Sequence, residues 1–229
     1  MTINRVETID DQVKIDHVLV SVSDKSGLSS FIPQLIELNP HIRIFSTGGT
    51  FNTIREFLPD KASGHLIQVS AYTGQPETQG GLVKTLDFKI YLGLLTETYN
   101  PAHQADLSRT QSVPIDMVVV NLYPFKQTVS KSGVTIEAAR GNIDIGGPCM
   151  IRAAAKNFIR VAAVVDPNDY STIIKELQTR ELATGLDLRF RLAQKAFEHT
   201  AAYDRAIADH LRTRQIGEIR SCYEIRNRA

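Results

Sequence analysis

Ser46-Thr47-Gly48-Gly49-Thr50 places three hydroxyls around two glycines. Two glycines let successive amides turn toward one point, and a helix beginning there adds partial positive charge, so the chemistry on offer is phosphate binding. A tight Gly-Gly turn without a ligand has the same spacing. Ser23, Asp24, Lys25 and Ser26 form a second loop bearing hydroxyls and an ammonium, and two such loops at equivalent strand ends favour a phosphate cradle.

Asn142-Ile143-Asp144-Ile145-Gly146-Gly147-Pro148 sets a carboxylate in a glycine-rich loop just before a helix with Pro in its first turn. In that helix Arg152 and Lys156 are four apart and share a face, which reads equally as a charged solvent face. Asn121, Leu122 and Tyr123 end an apolar run; strand-end Asn and Tyr can orient a planar polar ligand, while Tyr-Pro-Phe is also an ordinary rigid stop. Lys84 and Lys89 sit among apolar neighbours, as snorkelling surface lysines do. The six histidines show no metal-ligand spacing, and Cys149 and Cys222 have no thiol or histidine partner nearby, so no metal and no thiol nucleophile are expected.

These residues need a scaffold, and the hydrophobic pattern supplies one. Residues 17–22 read as a strand followed by a loop and a helix with Leu28, Phe31, Leu35 and Leu38 on one face, Pro33 in its first turn or bending it. Residues 42–45 and a helix with Phe51, Ile54, Phe57 and Leu58 repeat the unit. Residues 66–69, 116–122 and 161–165 read as further strands, the second apolar on both faces as central parallel strands are. Pro167 fits the first turn of a helix with Tyr170, Ile173, Ile174 and Leu177 on one side. After Gly185 a long helix carries Leu188, Leu192, Ala196, Thr200, Asp204 and Ala208, expected to be an appended arm. Alternating strands and helices predict a parallel α/β sheet, with ligands beyond the carboxyl ends of its strands.

Bulk properties agree. The 229 residues carry 26 Lys plus Arg against 25 Asp plus Glu, a formal charge of +1, so no pull on nucleic acid is expected. A hydrophobic share of 42% and a charged share of 22% exclude disordered and fibrous classes. No apolar run approaches the ~20 residues of a bilayer span, the start lacks a signal-peptide pattern, and two cysteines make no disulfide framework. A cytoplasmic protein of one large domain plus an appendage is expected.

Six segments in this order carry more than their separate signals: residues 20–28, 46–50, 83–86, 118–125, 142–148 and 152–157, with a seventh at 195–204. The chain resembles the inosine monophosphate cyclohydrolase domain, the amino-terminal half of the bifunctional purine biosynthesis protein. The resemblance implies a methylglyoxal-synthase-like three-layer fold over 14–184, a mainly parallel central sheet flanked by helices, with a C-terminal helical extension over 185–212 and a fraying tail over 213–229. It implies closure of a purine ring from formylated aminoimidazole carboxamide ribotide, with loss of water and no cofactor. Ser23, Asp24, Lys25, Ser46, Thr47, Gly48 and Gly49 would hold the phosphoribosyl part, Asn121, Leu122, Asp144 and Ile145 would lie near the base, and Thr85 and Arg152 would also touch the substrate. Lys84, Tyr123, Asp144 and Lys156 match the family's catalytic positions. Asp144 with Tyr123 would accept or orient the amide proton, Lys156 would pass a proton to the departing oxygen, and Lys84 would polarise the carboxamide oxygen. Lys25, Lys84, Arg152 and Lys156 are thus expected around one anionic ligand.

The sequence also departs from the family pattern. Leu82, Asp87, Phe88, Tyr91 and Leu92 stand where Arg, His, Pro, His and Gly are usual, and Gly80-Gly81 replaces a region that usually carries an acidic residue. Losing an Arg contact to a ligand costs about 1.5–3 kcal/mol. A changed heterocyclic carboxamide substrate, or a ribotide sensor without catalysis, therefore competes with the cyclohydrolase reading. The motifs at 121–125 and 142–157 disfavour a methylglyoxal synthase. The length excludes the family's formyltransferase half, so a separate formyltransferase is expected, and a homodimer is implied at family level only.

Overall fold

A computed structural model describes residues 5–58, 64–75 and 84–226. Strand β1 (Gln12–Lys14) is followed by β2 (His17–Val22), α1 (Leu28–Leu38), β3 (Arg43–Ser46), α2 (Gly48–Phe57), β4 (Leu66–Gln68) and α3 (Val69–Thr73). Helices α4 (Phe88–Leu95) and α5 (Pro101–Thr110) lead to β5 (Met117–Asn121), then to α6 (Phe125–Val129), α7 (Ile136–Gly141) and α8 (Gly146–Lys156). β6 (Ala162–Val164), a 3-10 turn at Pro167–Asp169, α9 (Tyr170–Thr179), β7 (Ala183–Gly185), α10 (Leu186–Arg212) and α11 (Ile216–Ser221) complete the described chain.

Five strands form one parallel sheet in the order β4-β3-β2-β5-β6. The chain moves outward from β2 through β3 to β4, then returns to the other side of β2 as β5. That reversal opens a crevice at the carboxyl ends of β2 and β5. Strand alternation divides the apolar residues between two layers. Val18, Val20 and Val22 of β2 and Met117 and Val119 of β5 meet α1 and α9 on one face. Leu19, Val118 and Val120 meet α4 and α8 on the other. The expected three-layer α/β fold is present.

α10 is not the appended arm expected from sequence. Its Leu188 and Leu192 enter one layer and its Ala193, Ala196 and Tyr203 the other, so it packs along β6 at the end of the sheet and shields that edge. Arg189 is wholly buried on it and donates to the carbonyls of Asp10 (2.8 Å), Asp11 (3.1 Å), Phe158 (3.1 Å), Ile159 (3.2 Å) and Thr184. Residues 185–212 therefore belong to the same core as 14–184. An unforeseen antiparallel pair, β1 and β7, starts before residue 14 and stands outside the two core layers. The tail also departs from the frayed end expected: it includes α11, and Tyr223 donates to Glu137 of α7. Pro33 lies in the second turn of α1, which continues to Leu38. Among the described residues, no helix is long and apolar enough to cross a membrane.

At the amino-terminal edge of the sheet, a buried ion pair sets the register. Asp116 accepts from the main-chain N–H groups of Asp16 (3.0 Å) and His17 (2.8 Å) with one oxygen, and from Arg160 (2.8 Å) with the other. Arg160 also donates to the carbonyls of Gly93 (2.7 Å), Ile115 (2.6 Å) and Thr96 (3.3 Å). Removing one partner of a buried pair costs about 3–5 kcal/mol. For a chain of this size that lowers Tm by about 10 °C. Arg160→Met is therefore expected to melt about 10 °C below the wild type in a circular-dichroism scan. A drop of less than about 2 °C would show that the pair does not hold these strand ends.

Candidate active site

A cavity of about 410 Å3 fills the crevice at the reversal point. Its floor is the ends of β2 and β5, and its walls are the starts of α2 and α8. Ser23 and Lys25 enter after β2, Thr47, Gly48 and Gly49 after β3, Asn121 at the end of β5 and Tyr123 after it, and Asp144 and Ile145 ahead of α8. Lys84 and Thr85 close it from the segment before α4. The loops expected to converge do converge.

On one side of the cavity, α2 begins at Gly48 with no side chain capping it. Its first amides are open to an anion, which the helix dipole favours. Gly48 has φ of +49°, and a Cβ there would lie 3.0 Å from Lys84 Nζ, so the ammonium stands directly beside this helix start. Lys25 Nζ donates to the Ser23 carbonyl at 3.5 Å, keeping a second ammonium at the rim.

On the opposite side, Asp144 is partly buried, and burial raises its pKa, while the Gly147 N–H donating at 2.9 Å pulls it down. A Cβ at Gly147 would come within 2.5 Å of Asp144 Oδ2 and 2.6 Å of Leu122 Cδ2, so only glycine admits the carboxylate here. The Asp144 N–H donates to Tyr203 Oη at 2.8 Å. Tyr123 is 57% exposed and stands at the mouth of the cavity. Thr85 Oγ1 lies 2.7 Å from where Gly146 would carry a Cβ, which fixes this segment against the start of α8.

Several expected site residues lie elsewhere. Ser46 is fully buried, and its hydroxyl donates to the Val20 carbonyl at 2.8 Å, joining β3 to β2. Asp24 and Leu122 line a neighbouring cleft of about 520 Å3, and Asp24 accepts from Ser26 N–H at 2.9 Å. In that cleft Lys195 is held between Asp166 (2.6 Å) and Asp169 (2.9 Å). Asn121 lines both cavities, yet its amide faces the loop rather than a base: Oδ1 accepts from Ser23 (2.7 Å) and Asp24 (2.9 Å) N–H, and Nδ2 donates to the Asp24 carbonyl (3.0 Å). Arg152 points outward over the Phe197 ring at 5.6 Å. Lys156 is exposed at the last turn of α8, ten residues and roughly 15 Å from the helix start at the cavity. The expected cluster of four cations is therefore two, Lys25 and Lys84.

Sequence reasoning assigned no role to Tyr203, and it read Thr50 as a ligand hydroxyl, whereas Thr50 lines the cavity with its hydroxyl committed to the fold. Thr50 Oγ1 accepts from Val22 N–H (3.1 Å) and donates to the Val22 carbonyl (3.0 Å), locking β2 to the start of α2. Leu82, Gly80 and Gly81 lie outside the described residues. Asp87 is buried and caps α4 by accepting from Lys89 N–H at 2.8 Å. Neither it nor Phe88, Tyr91 or Leu92 is among the residues lining the cavity. Among the described residues, no group of three or more His, Cys, Asp and Glu side chains is arranged to hold a metal ion.

Since burial raises the Asp144 pKa, the folded state holds that proton more tightly than the unfolded chain. Ionised Asp144 therefore costs stability above the raised pKa, and the cost vanishes as pH falls to the ordinary carboxylate range. Asp144→Asn, whose amide oxygen still accepts from Gly147, is expected to melt above the wild type at neutral pH, the gap closing toward about pH 4. Thermal melts across that range check it; a wild type that is the more stable at neutral pH contradicts it.

The comparisons with known proteins follow the same outline. A model described as the MGS-like domain matches residues 27–149, and one described as the AICARFT/IMPCHase bienzyme matches residues 154–228. The bifunctional purine biosynthesis protein PurH of Acetivibrio thermocellus is 45% identical over 204 residues, covering 89% of this chain and 38% of that protein. PurH of Bacillus subtilis is 46% identical over 204 residues, with the same coverage of 89% and 38%. The chain thus spans 38% of the length of these curated relatives. The crystal structure of ForH is similar with a TM-score of 0.69 and 29% identity, covering 85% of this chain and 97% of that one. With its parallel sheet, its cavity at the strand reversal and a family match over residues 27–149, the chain belongs to the MGS-like domain family.

Proposed function

We propose that the chain is an inosine monophosphate cyclohydrolase, closing the ring of formylated aminoimidazole carboxamide ribotide with loss of water. The observation that carries this reading is the joining, in one cavity, of an uncapped helix start with Ser23, Lys25, Thr47, Gly48 and Gly49 to a reaction end with Lys84, Tyr123 and Asp144. PurH relatives act in purine biosynthesis by name, and about 45% identity over most of this chain supports the same chemistry here. The four described loop departures lie off the cavity lining, which supports an unchanged substrate.

In this reading the ribotide phosphate sits at the start of α2, with the heterocycle toward Asp144. The carboxamide nitrogen attacks the formyl carbon, forming the new C–N bond. Asp144, aided by Tyr123 at the mouth, accepts the amide proton, and burial makes its carboxylate a stronger base than a solvated one. Lys84 stabilises charge on the carboxamide oxygen. The formyl C–O bond then breaks and its oxygen leaves as water, carrying the two protons that the carboxamide and formamide nitrogens give up, one of them returned by Asp144. The substrate is a small molecule, and the protein works in the cytoplasm.

Lys156 is too far from its own cavity for the direct proton transfer expected of it. It acts in this reaction only if the chain dimerises and a second copy presents it.

Purified protein is expected to convert the formylated ribotide, followed by its ultraviolet spectrum. Asp144→Asn and Lys84→Ala are each expected to reduce kcat by about 100-fold. Full turnover by either variant rejects its assigned role, and binding of inosine monophosphate without turnover by the wild type replaces the enzyme with a sensor. For the dimer, mixing and refolding inactive Lys156→Ala and Asp144→Asn chains is expected to restore about a quarter of wild-type activity, since half the pairs are mixed and each has one intact site. No recovery overturns presentation of Lys156 by a second copy, and full activity of Lys156→Ala alone removes Lys156 from the mechanism.

A further inference from the structure

We propose that Tyr203, on α10, is a positioning residue: its hydroxyl fixes the main chain at Asp144 and so aims the carboxylate into the cavity. The loop before α8 is anchored upstream, where Asn142 and Ile143 N–H groups donate to the Ala139 (3.1 Å) and Arg140 (3.2 Å) carbonyls. Downstream, Gly147 N–H donates to the Asp144 side chain. Between these anchors the Asp144 N–H donates to Tyr203 Oη at 2.8 Å, and the same hydroxyl donates to the Asn142 carbonyl at 3.5 Å. One phenol thus bridges the two sides of a turn. Its ring is 8% exposed and stands edge-on to Phe125, the centroids 6.2 Å apart, so the oxygen is delivered by a side chain that packing holds in place.

The geometry also excludes a direct chemical role. Tyr203 is absent from the cavity lining, whereas Asp144 is part of it. The hydroxyl meets the backbone of Asp144 from behind, and its action on a ligand passes through the carboxylate. The ionisable groups that share the cavity with that carboxylate are Lys25 from the loop after β2, Lys84 from the segment before α4 and Tyr123 from the loop after β5, while Tyr203 lies behind it on α10 with Asp204 beside the phenol. Replacing Tyr203 by Phe changes none of these charges at neutral pH. It keeps the ring and leaves the Asp144 N–H without its partner, so the turn relaxes and the carboxylate gains water.

The kinetic half of this inference rests on the cyclohydrolase reading; the structural half does not. Wild type and Tyr203→Phe are compared as full chains in two measurements. Carbon-13 NMR follows the Asp144 carboxyl, assigned by its loss in Asp144→Asn, through a pH titration. Steady-state kinetics use the formylated ribotide. In Tyr203→Phe the carboxyl midpoint is expected to fall toward the ordinary carboxylate value, and the acid limb of kcat to move with it. kcat is expected to drop about 10-fold with KM within about twofold. An Asp144 titration identical to the wild type overturns the proposal, whatever the kinetics. A shifted titration with kcat unchanged also overturns it. If the wild type does not turn over the ribotide, the cyclohydrolase reading fails, and the titration alone decides whether Tyr203 positions Asp144.

Discussion

The arrangement depends first on the buried pair of Asp116 and Arg160. One carboxylate takes two main-chain N–H groups from the start of β2 and one guanidinium N–H, while that guanidinium binds the carbonyls of Gly93, Thr96 and Ile115. This fixes β2 against β5 in one register, with Val18 opposite Met117 and Val22 opposite Asn121. A slip of one residue would turn every side chain of β5 to the other face of the sheet. It would also move Asn121 and Tyr123 off the cavity. The constraint at one end of the sheet therefore sets the chemistry at the other, and the charge needs its full set of partners because a buried ion left unpaired is costly.

Two opposing local demands meet in the cavity. The start of α2 presents open amides, with Lys84 beside it and Lys25 at the rim of the same cavity, and all of these favour an anion. Asp144, across the cavity, is pushed toward its neutral form by burial. A site that gathers negative charge at one end and keeps a carboxylate reluctant to ionise at the other suits a ligand with a phosphate on one side and a transferable proton on the other. The close contact at Gly147 holds the second demand in place, since any larger residue would displace the carboxylate or Leu122.

Much of this was legible in the sequence because the informative residues are local. The run 117–120 is apolar on both faces since both faces are covered, and Ser46-Thr47-Gly48-Gly49-Thr50 adjoins a helix start that needs glycine at positive φ. What was not legible depends on distant partners. Ser46 matches a binding motif, yet it ends a strand whose last three residues are all buried, and its hydroxyl meets Val20, 26 residues away. Lys156 matches a catalytic position, but a helix of eleven residues places its last side chain a long way from its first turn. β1 and β7 are three residues each and pair across most of the chain, too short to give a pattern. The small residues of α10 could not reveal that both layers of the core meet along it.

Asn121 commits its whole amide group to the loop after β2. The loop after β2 and the strand end that leads into Tyr123 are thereby joined as one unit. In the proposed reaction, contact energy gained at the phosphate end would reach the phenol without any moving relay, so the grip on the inert part of the substrate would also serve the part that reacts.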